Sequence, residues 1–184
     1  FLHNSVLGSA SFTRTTLSGR SYLPLYTAPP REGKNIFSSY LAAFGAVDWA
    51  TGPDVPQAVR STFGLRSVRS GLGGSVRGFE PGRFDATFKA VANLEARMNL
   101  PAIAWPGLVP GLILYTDAGY YNDLAPRSPE AAEQTGTLLS SGGGFYTDLF
   151  DVATFVFYTN YLWYPSRVDG SNWVPFALGF GFHY

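Results

Sequence analysis

The chain has 184 residues, with thirteen basic and thirteen acidic side chains and a formal net charge of zero. Charged residues are only 14% of it, against roughly 25% in an ordinary soluble domain, while aromatics reach 16%, glycines number 21 and cysteine is absent. This excludes a disulfide scaffold, Cys-ligated metal and Cys-nucleophile chemistry, leaves only His3 and His183 for any His-based metal or triad site, and offers no basic stripe for a nucleic-acid partner.

The first residues, FLHNSV, carry neither an initiator Met nor a basic-then-apolar leader. The expectation is a removed leader or a piece of something longer. The first predicted strand covers 5–16, with Val6, Gly8, Ala10 and Phe12 on one face and Ser and Thr on the other. A long polar loop is expected over Leu17–Asn35. The second strand covers 36–49, setting Phe37, Leu41, Ala43, Val47 and Trp49 opposite Ser38 and Asp48. After a short connection, Ala50–Pro56, a third strand is read over 57–69, with Val59, Phe63 and Leu65 opposite Arg60, Thr62 and Arg66. Gly71–Arg83 is a long loop.

The fourth strand, 84–100, carries the clearest pattern. Phe84, Ala86, Phe88, Ala90, Ala92, Leu94, Ala96, Met98 and Leu100 fall on one face. Lys89, Asn93, Glu95, Arg97 and Asn99 fall on the other, as a strand's period of two dictates. Strands over 111–121, 138–149, 152–164 and 174–184 complete a set of eight. The fifth puts Leu112, Leu114 and Ala118 opposite Tyr115, Asp117 and Gly119. The sixth turns Tyr146 and Asp148 inward. The seventh sets Phe155, Phe157, Tyr161 and Trp163 opposite Asn160. The last gathers Val174, Phe176, Leu178, Phe180, Phe182 and Tyr184.

No run of about 20 apolar residues exists to cross a bilayer as a helix, and Pro101–Tyr115 is broken by Pro106, Gly107, Pro110 and Gly111. The alternating segments do reach the roughly 9–11 residues that a membrane strand needs. Connections of alternating length, and aromatics near strand ends (Trp49, Tyr120, Tyr121, Tyr161, Tyr164, Trp173), fit a transmembrane antiparallel up-and-down β-barrel with interfacial girdles. A soluble sandwich or barrel would alternate too, but its exposed face would be charged. Here the polar face is sparsely charged and rich in Gly, Ser and Thr.

Within this pattern Asp117 and Glu95 both point inward, and a charge on a strand facing an enclosed lumen needs a partner. Arg77 lies in the loop ahead of those strands, within Gly73-Gly74-Ser75-Val76-Arg77-Gly78-Phe79. The loop is expected to fold back inside, pairing Arg77 with Asp117 or Glu95 as a buried, geometrically specific latch.

Val76-Arg77-Gly78-Phe79 resembles the VRGF/Y signature of the sixth extracellular loop in the BamA/TamA superfamily of outer-membrane assembly and translocation barrels. Tyr115-Thr116-Asp117-Ala118-Gly119 is similar to that family's F/G-x-D-x-G motif, with Tyr in the first place, and Asn93-Leu94-Glu95-Ala96-Arg97 to its N-x-E-x-R strand. The end of the chain, with Gly179, Phe180, Phe182 and terminal Tyr184, resembles the C-terminal β-signal, though Ala177 stands where a polar residue is usual.

The resemblance implies the C-terminal half of a sixteen-stranded barrel, a surface-antigen-type bacterial domain, with three strands before the signature loop and five after it. It implies a bacterial outer-membrane location, the lipid bilayer and client outer-membrane proteins as partners, no cofactor and no enzymatic activity. The family's periplasmic POTRA domains are not in this chain. Eight strands cannot both close alone and hold such a loop, because an eight-stranded interior is just filled by side chains. A second copy or another chain completing the barrel, or a longer parent chain, is therefore expected; the remaining solution is a chain that closes alone with the loop outside and the latch lost. The alternatives are a structural or anchor subunit of an outer-membrane complex and a passive pore.

Overall fold

The computed structural model describes residues 2–3, 11–29, 37–65, 71–80, 84–102, 107–122, 135–149, 153–164 and 171–182. They form one antiparallel sheet in chain order: β1 (Leu2–His3), β2 (Thr13–Thr27), β3 (Ser38–Thr51), β4 (Phe88–Asn99), β5 (Leu108–Asn122), β6 (Thr135–Leu149), β7 (Ala153–Tyr164) and β8 (Trp173–Phe182). Seven of these are long, running from 10 to 15 residues. The sheet is not closed: among the described residues β8 pairs only with β7. The chain is thus all-β and up-and-down, and two short helices, α1 (Gln57–Arg60) and α2 (Gly71–Ser75), sit between β3 and β4.

Residues directly opposite in an antiparallel pair share a face, so the register sorts every side chain. One row runs Arg20, Phe44, Asn93, Asp117, Ser140, Leu162 across β2 to β7. The next rows on that face carry Glu95 and Arg97. All the Asp, Glu, Lys and Arg of β2–β8 (Arg14, Arg20, Asp48, Lys89, Glu95, Arg97, Asp117, Asp148) lie on this inner face. The outer face carries none. It exposes Leu17, Leu94, Leu114, Phe145, Phe157 and, at 88% and 72% accessibility, Phe176 and Leu178.

The 52–87 connection lies over the inner face. Its Phe63, Leu72, Val76 and Phe84 bury against Ala46, Val91 and Leu138 of the wall. Each such side chain stabilises by roughly 1.5–3 kcal/mol. A second cluster, Ile113, Tyr115 and Tyr146, fills the same face over β5 and β6, with Val156 and Tyr158 of β7 against it.

Several expectations change. The strand expected over 57–69 is α1 followed by an irregular run to Leu65, and 66–70 lie outside the described residues. Pro56 supplies the extended N-cap, Ser61 N–H closes the turn on the Gln57 carbonyl, and Lys89 takes carbonyls that a strand would have spent on neighbours. The Ala50–Pro56 connection is therefore not a short turn but the start of the long loop. The polar loop expected from Leu17 to Asn35 is largely strand: β2 continues to Thr27, because Ser18 and Arg20 face inward where polarity is tolerated. Of the expected 5–16 strand, residues 5–10 lie outside the described set, and 13–16 open β2. The fourth strand starts at Phe88, not 84, since Phe84 and Ala86 are committed to the loop's packing. In β8 a register shift turns Val174 to the inner face opposite Asn160, whereas Leu178 stays outside opposite Phe157. The expected three strands before the loop become two long ones, β2 and β3, with the two-residue β1 ahead of them, and five follow the loop, so the long strands number seven rather than eight among the described residues.

The loop's tight seating makes glycine necessary at Gly119, where an added Cβ would stand 2.7 Å from Val76 Cγ2 and 3.1 Å from Leu72 Cδ1. We predict that Gly119→Val costs about 1–3 kcal/mol through overpacking, seen as a lower temperature for loss of the compact, fast-migrating band on unheated gels. Gly19→Val, with nothing within 4 Å of its Cβ, leaves that temperature nearly unchanged.

Candidate functional site

The site forms where α2 and the turn after it meet β4 and β5. Val76 N–H donates to the Leu72 carbonyl at 3.0 Å, and Phe79 N–H to that of Val76 at 3.3 Å, so the chain turns sharply at Gly78. Gly78 has φ +94°, a left-handed conformation that side chains with Cβ resist, and a Cβ there would stand 2.6 Å from Leu162. This turn aims Arg77 at the wall while Val76 is buried beneath it.

Arg77 then meets two carboxylates. Its Nε donates to Asp117 Oδ2 at 2.7 Å and its Nη2 to Asp117 Oδ1 at 2.8 Å, a bidentate fork. Its backbone N–H adds a third bond to Oδ2 at 3.1 Å. Nη1 reaches Glu95 Oε1 at 2.8 Å. The guanidinium lies 3.5 Å over the Tyr115 ring, within cation–π range.

Asp117 is fully buried, and Asn93 Nδ2 saturates its Oδ1 at 2.7 Å while also donating to the Ser75 carbonyl at 2.9 Å. Glu95 is shared: its Oε2 accepts from Arg97 Nε at 2.7 Å and faces Arg97 Nη2 at 2.6 Å. Burial opposes the Arg77 charge, but the hydrogen bonds and attraction of Asp117, with Glu95 behind them, outweigh it and hold its pKa above the ordinary guanidinium value.

The sequence's alternatives of Asp117 or Glu95 thus resolve into both. Val76, Arg77, Gly78, Glu95, Asp117 and Gly119 converge, and Phe79 packs edge-on to Phe84 beside them. Gly179, Phe180 and Phe182 stand apart, in the last strand, opposite Val156, Phe155 and Ala153. A Cβ at Gly179 would make only ordinary contacts of 3.6–3.7 Å, so space does not demand glycine there. Tyr184 lies outside the described residues.

Sequence reasoning passed over a second ionic cluster, where Asp48 receives Arg14 at 2.8 Å and stands 3.3 Å from Lys89. The signal was present: Asp48 and Lys89 are inward charges on adjacent strands, the argument that singled out Asp117. The false strand over 57–69 hid it by placing a wall where a ligand of the cluster belongs.

No family model, curated protein or solved structure matches the chain. Its own geometry defines a class, an all-β up-and-down antiparallel sheet with an uncharged outer face and a loop stapled to its charged inner face.

Breaking one partner of this buried pair strands the other charge, at about 3–5 kcal/mol. Arg77→Ala and Asp117→Ala should therefore each lower the temperature at which the compact band is lost, and the double variant should add little to either. Additive losses would contradict a direct pair. Arg77→Lys, which keeps charge without the fork, should fall between wild type and Arg77→Ala.

Proposed function

We propose that the chain forms part of the wall of a BamA-type barrel in a bacterial outer membrane, serving assembly or translocation of outer-membrane polypeptides. The observation that supports this best is the Arg77 fork. It fixes a VRGF turn to an inward Asp117 on a sheet whose outer face bears no charge. Soluble monomers rarely expose large contiguous apolar patches, and such patches mark interaction or membrane surfaces; here strands of 10 to 15 residues carry an uncharged outer face with exposed aromatics. Such a face suits hydrocarbon. No helix among the described residues is long and apolar enough to cross a membrane.

The wall is completed by strands beyond those described, from a second copy, another chain or a longer parent chain. Among the described residues β1 covers only Thr15 and Arg14 of the edge of β2, and β8 pairs on one side only. Hydrocarbon does not tolerate unpaired strand edges. Closing β8 onto β2 within one chain would leave an interior that side chains alone fill, yet Phe63, Leu72, Val76 and Phe84 of the loop already occupy the inner face. Joining both edges to further strands satisfies them and keeps the room.

In this reading the seam strand is β8, with Gly179, Phe180 and Phe182, and it offers its backbone to a client strand by β-augmentation. No covalent chemistry is involved. A scaffold or anchor subunit would use the same wall without opening the seam.

The detergent-solubilised particle should hold protein equal to about two such chains, and the intact polypeptide mass then tells a second copy from a longer parent chain; protein equal to one 184-residue chain would overturn completion from outside. The chain has no cysteine, so a disulfide engineered between β8 and its seam neighbour is unambiguous. Locking it should abolish insertion of a client barrel into liposomes, and reduction should restore it. Wild-type protein that inserts no client in that assay would favour the scaffold reading, and large open conductance in planar bilayers would favour a pore.

A further inference from the structure

We infer that Asp48, Lys89 and Arg14 form a second clamp, independent of Arg77, which holds residues 55–65 against the wall when the latch is released. The loop would thereby divide into a fixed plug and a latch-dependent tongue, residues 71–80.

The geometry is that of a purpose-built anchor. Lys89 lies on the inner face of β4, 1% exposed, and an ammonium has three N–H donors. All three are directed at loop carbonyls: Val59 at 2.9 Å, Arg60 at 2.8 Å, and Thr62. These are carbonyls at and just beyond the C-terminal end of α1, which is where a cation is favoured. Arg14 of β2 reaches the same Thr62 carbonyl through Nη2.

Asp48 of β3, fully buried, ties the two cations together. Its Oδ1 accepts from Arg14 Nε at 2.9 Å and Thr16 Oγ1 at 2.6 Å, and its Oδ2 accepts from Arg14 Nη2 at 2.8 Å and lies 3.3 Å from Lys89. It also accepts from the loop's own Gly64 N–H at 3.3 Å. Gly64 must be glycine for this approach, since a Cβ would fall 2.2 Å from Thr16 Oγ1 and 3.3 Å from Asp48 Oδ1.

Three strands thus hold one loop segment by its backbone, and among the described residues no hydrogen bond or ion pair joins this cluster to that of Arg77. Phe63 lies 5.6 Å from the Lys89 ammonium and packs into the core shared with Leu72 and Val76. That shared apolar contact joins plug and tongue, but the polar anchors are separate. A backbone-directed clamp also tolerates changes in loop side chains, whereas the latch depends on one arginine.

Trypsin reads both parts through residues the chain already has. Arg60 is buried in the plug and Arg77 is ion-paired in the tongue, so cleavage at Arg60–Ser61 and Arg77–Gly78, timed by mass spectrometry on folded protein in detergent, reports each opening. In Asp117→Ala the Arg77–Gly78 bond should be cut roughly 100-fold faster with Arg60–Ser61 unchanged. In Asp48→Asn/Lys89→Met the reverse should hold.

Gly64→Val, which removes no charge, should reproduce the second pattern sterically and stands in if the double variant fails to give a compact band. Equal acceleration of both bonds in Asp117→Ala would overturn the inference, as would an Arg60–Ser61 bond unaffected by Gly64→Val. The consequence for a lumen rests on the barrel reading: conductance should stay low in Asp117→Ala and rise when both anchors are cut. The proteolysis requires no closed barrel and no client, so its failure and the failure of that reading are told apart.

Discussion

A strand residue has only two sides to choose from, and in β2 to β8 every formal charge takes the same one. This segregation organises the rest of the molecule. An outer face without charge, set with Leu, Phe and Trp, is left for an apolar surround. The inner face carries acids and bases whose isolation would be costly. What covers that face must therefore be polar at defined points and apolar between them. The 52–87 loop has this character: carbonyls and Arg77 where the wall offers Lys89, Arg14 and Asp117, and Phe63, Leu72 and Val76 where it offers Ala46, Val91 and Leu138.

Much of the wall was legible because side-chain period alone specifies which face a residue takes. In β4 the alternation from Phe88 to Asn99 is almost unbroken, and Asp117 could be placed inward from its neighbours Leu114 and Ala118. The latch was legible for the same reason, since two inward acids on adjacent strands demand a cation and the loop between β3 and β4 carries Arg77 in its VRGF turn. The failures have one physical origin. Residues 57–65 mimic a strand's alternation, but their conformation is decided by Lys89 and Arg14, 27 to 48 residues away in sequence. A local pattern carries no trace of such a donor. Conversely, Ser18, Gly19, Arg20 and Pro24 read as loop, yet β2 accepts them: the first and third face inward, and Pro24 sits at a register shift on the side away from a second long partner.

The two anchors also explain how a hairpin with so long a connection holds its register. Closing a long loop carries an entropic cost that grows slowly with length, and β3–β4 must meet it before their ladder forms. Asp48 and Lys89 are direct cross-strand partners one rung from the Trp49–Phe88 pair at the loop's root. Their charges are opposite, which favours this register, and a one-residue slip would set Lys89 on the same rung as Val47 or Trp49 and turn it toward the apolar face. The same two side chains then bind the first segment of the loop they have closed. Register, burial of charge and seating of the loop are in this way one interaction seen at three scales. The wall depends on its loop as much as the loop on the wall: without residues 57–64, Lys89 would lose the three carbonyls it donates to and be left buried beside Asp48, and without the Arg77 side chain, Asp117 would lose its bidentate partner and be left buried with neutral donors, Asn93 and the backbone N–H of residue 77.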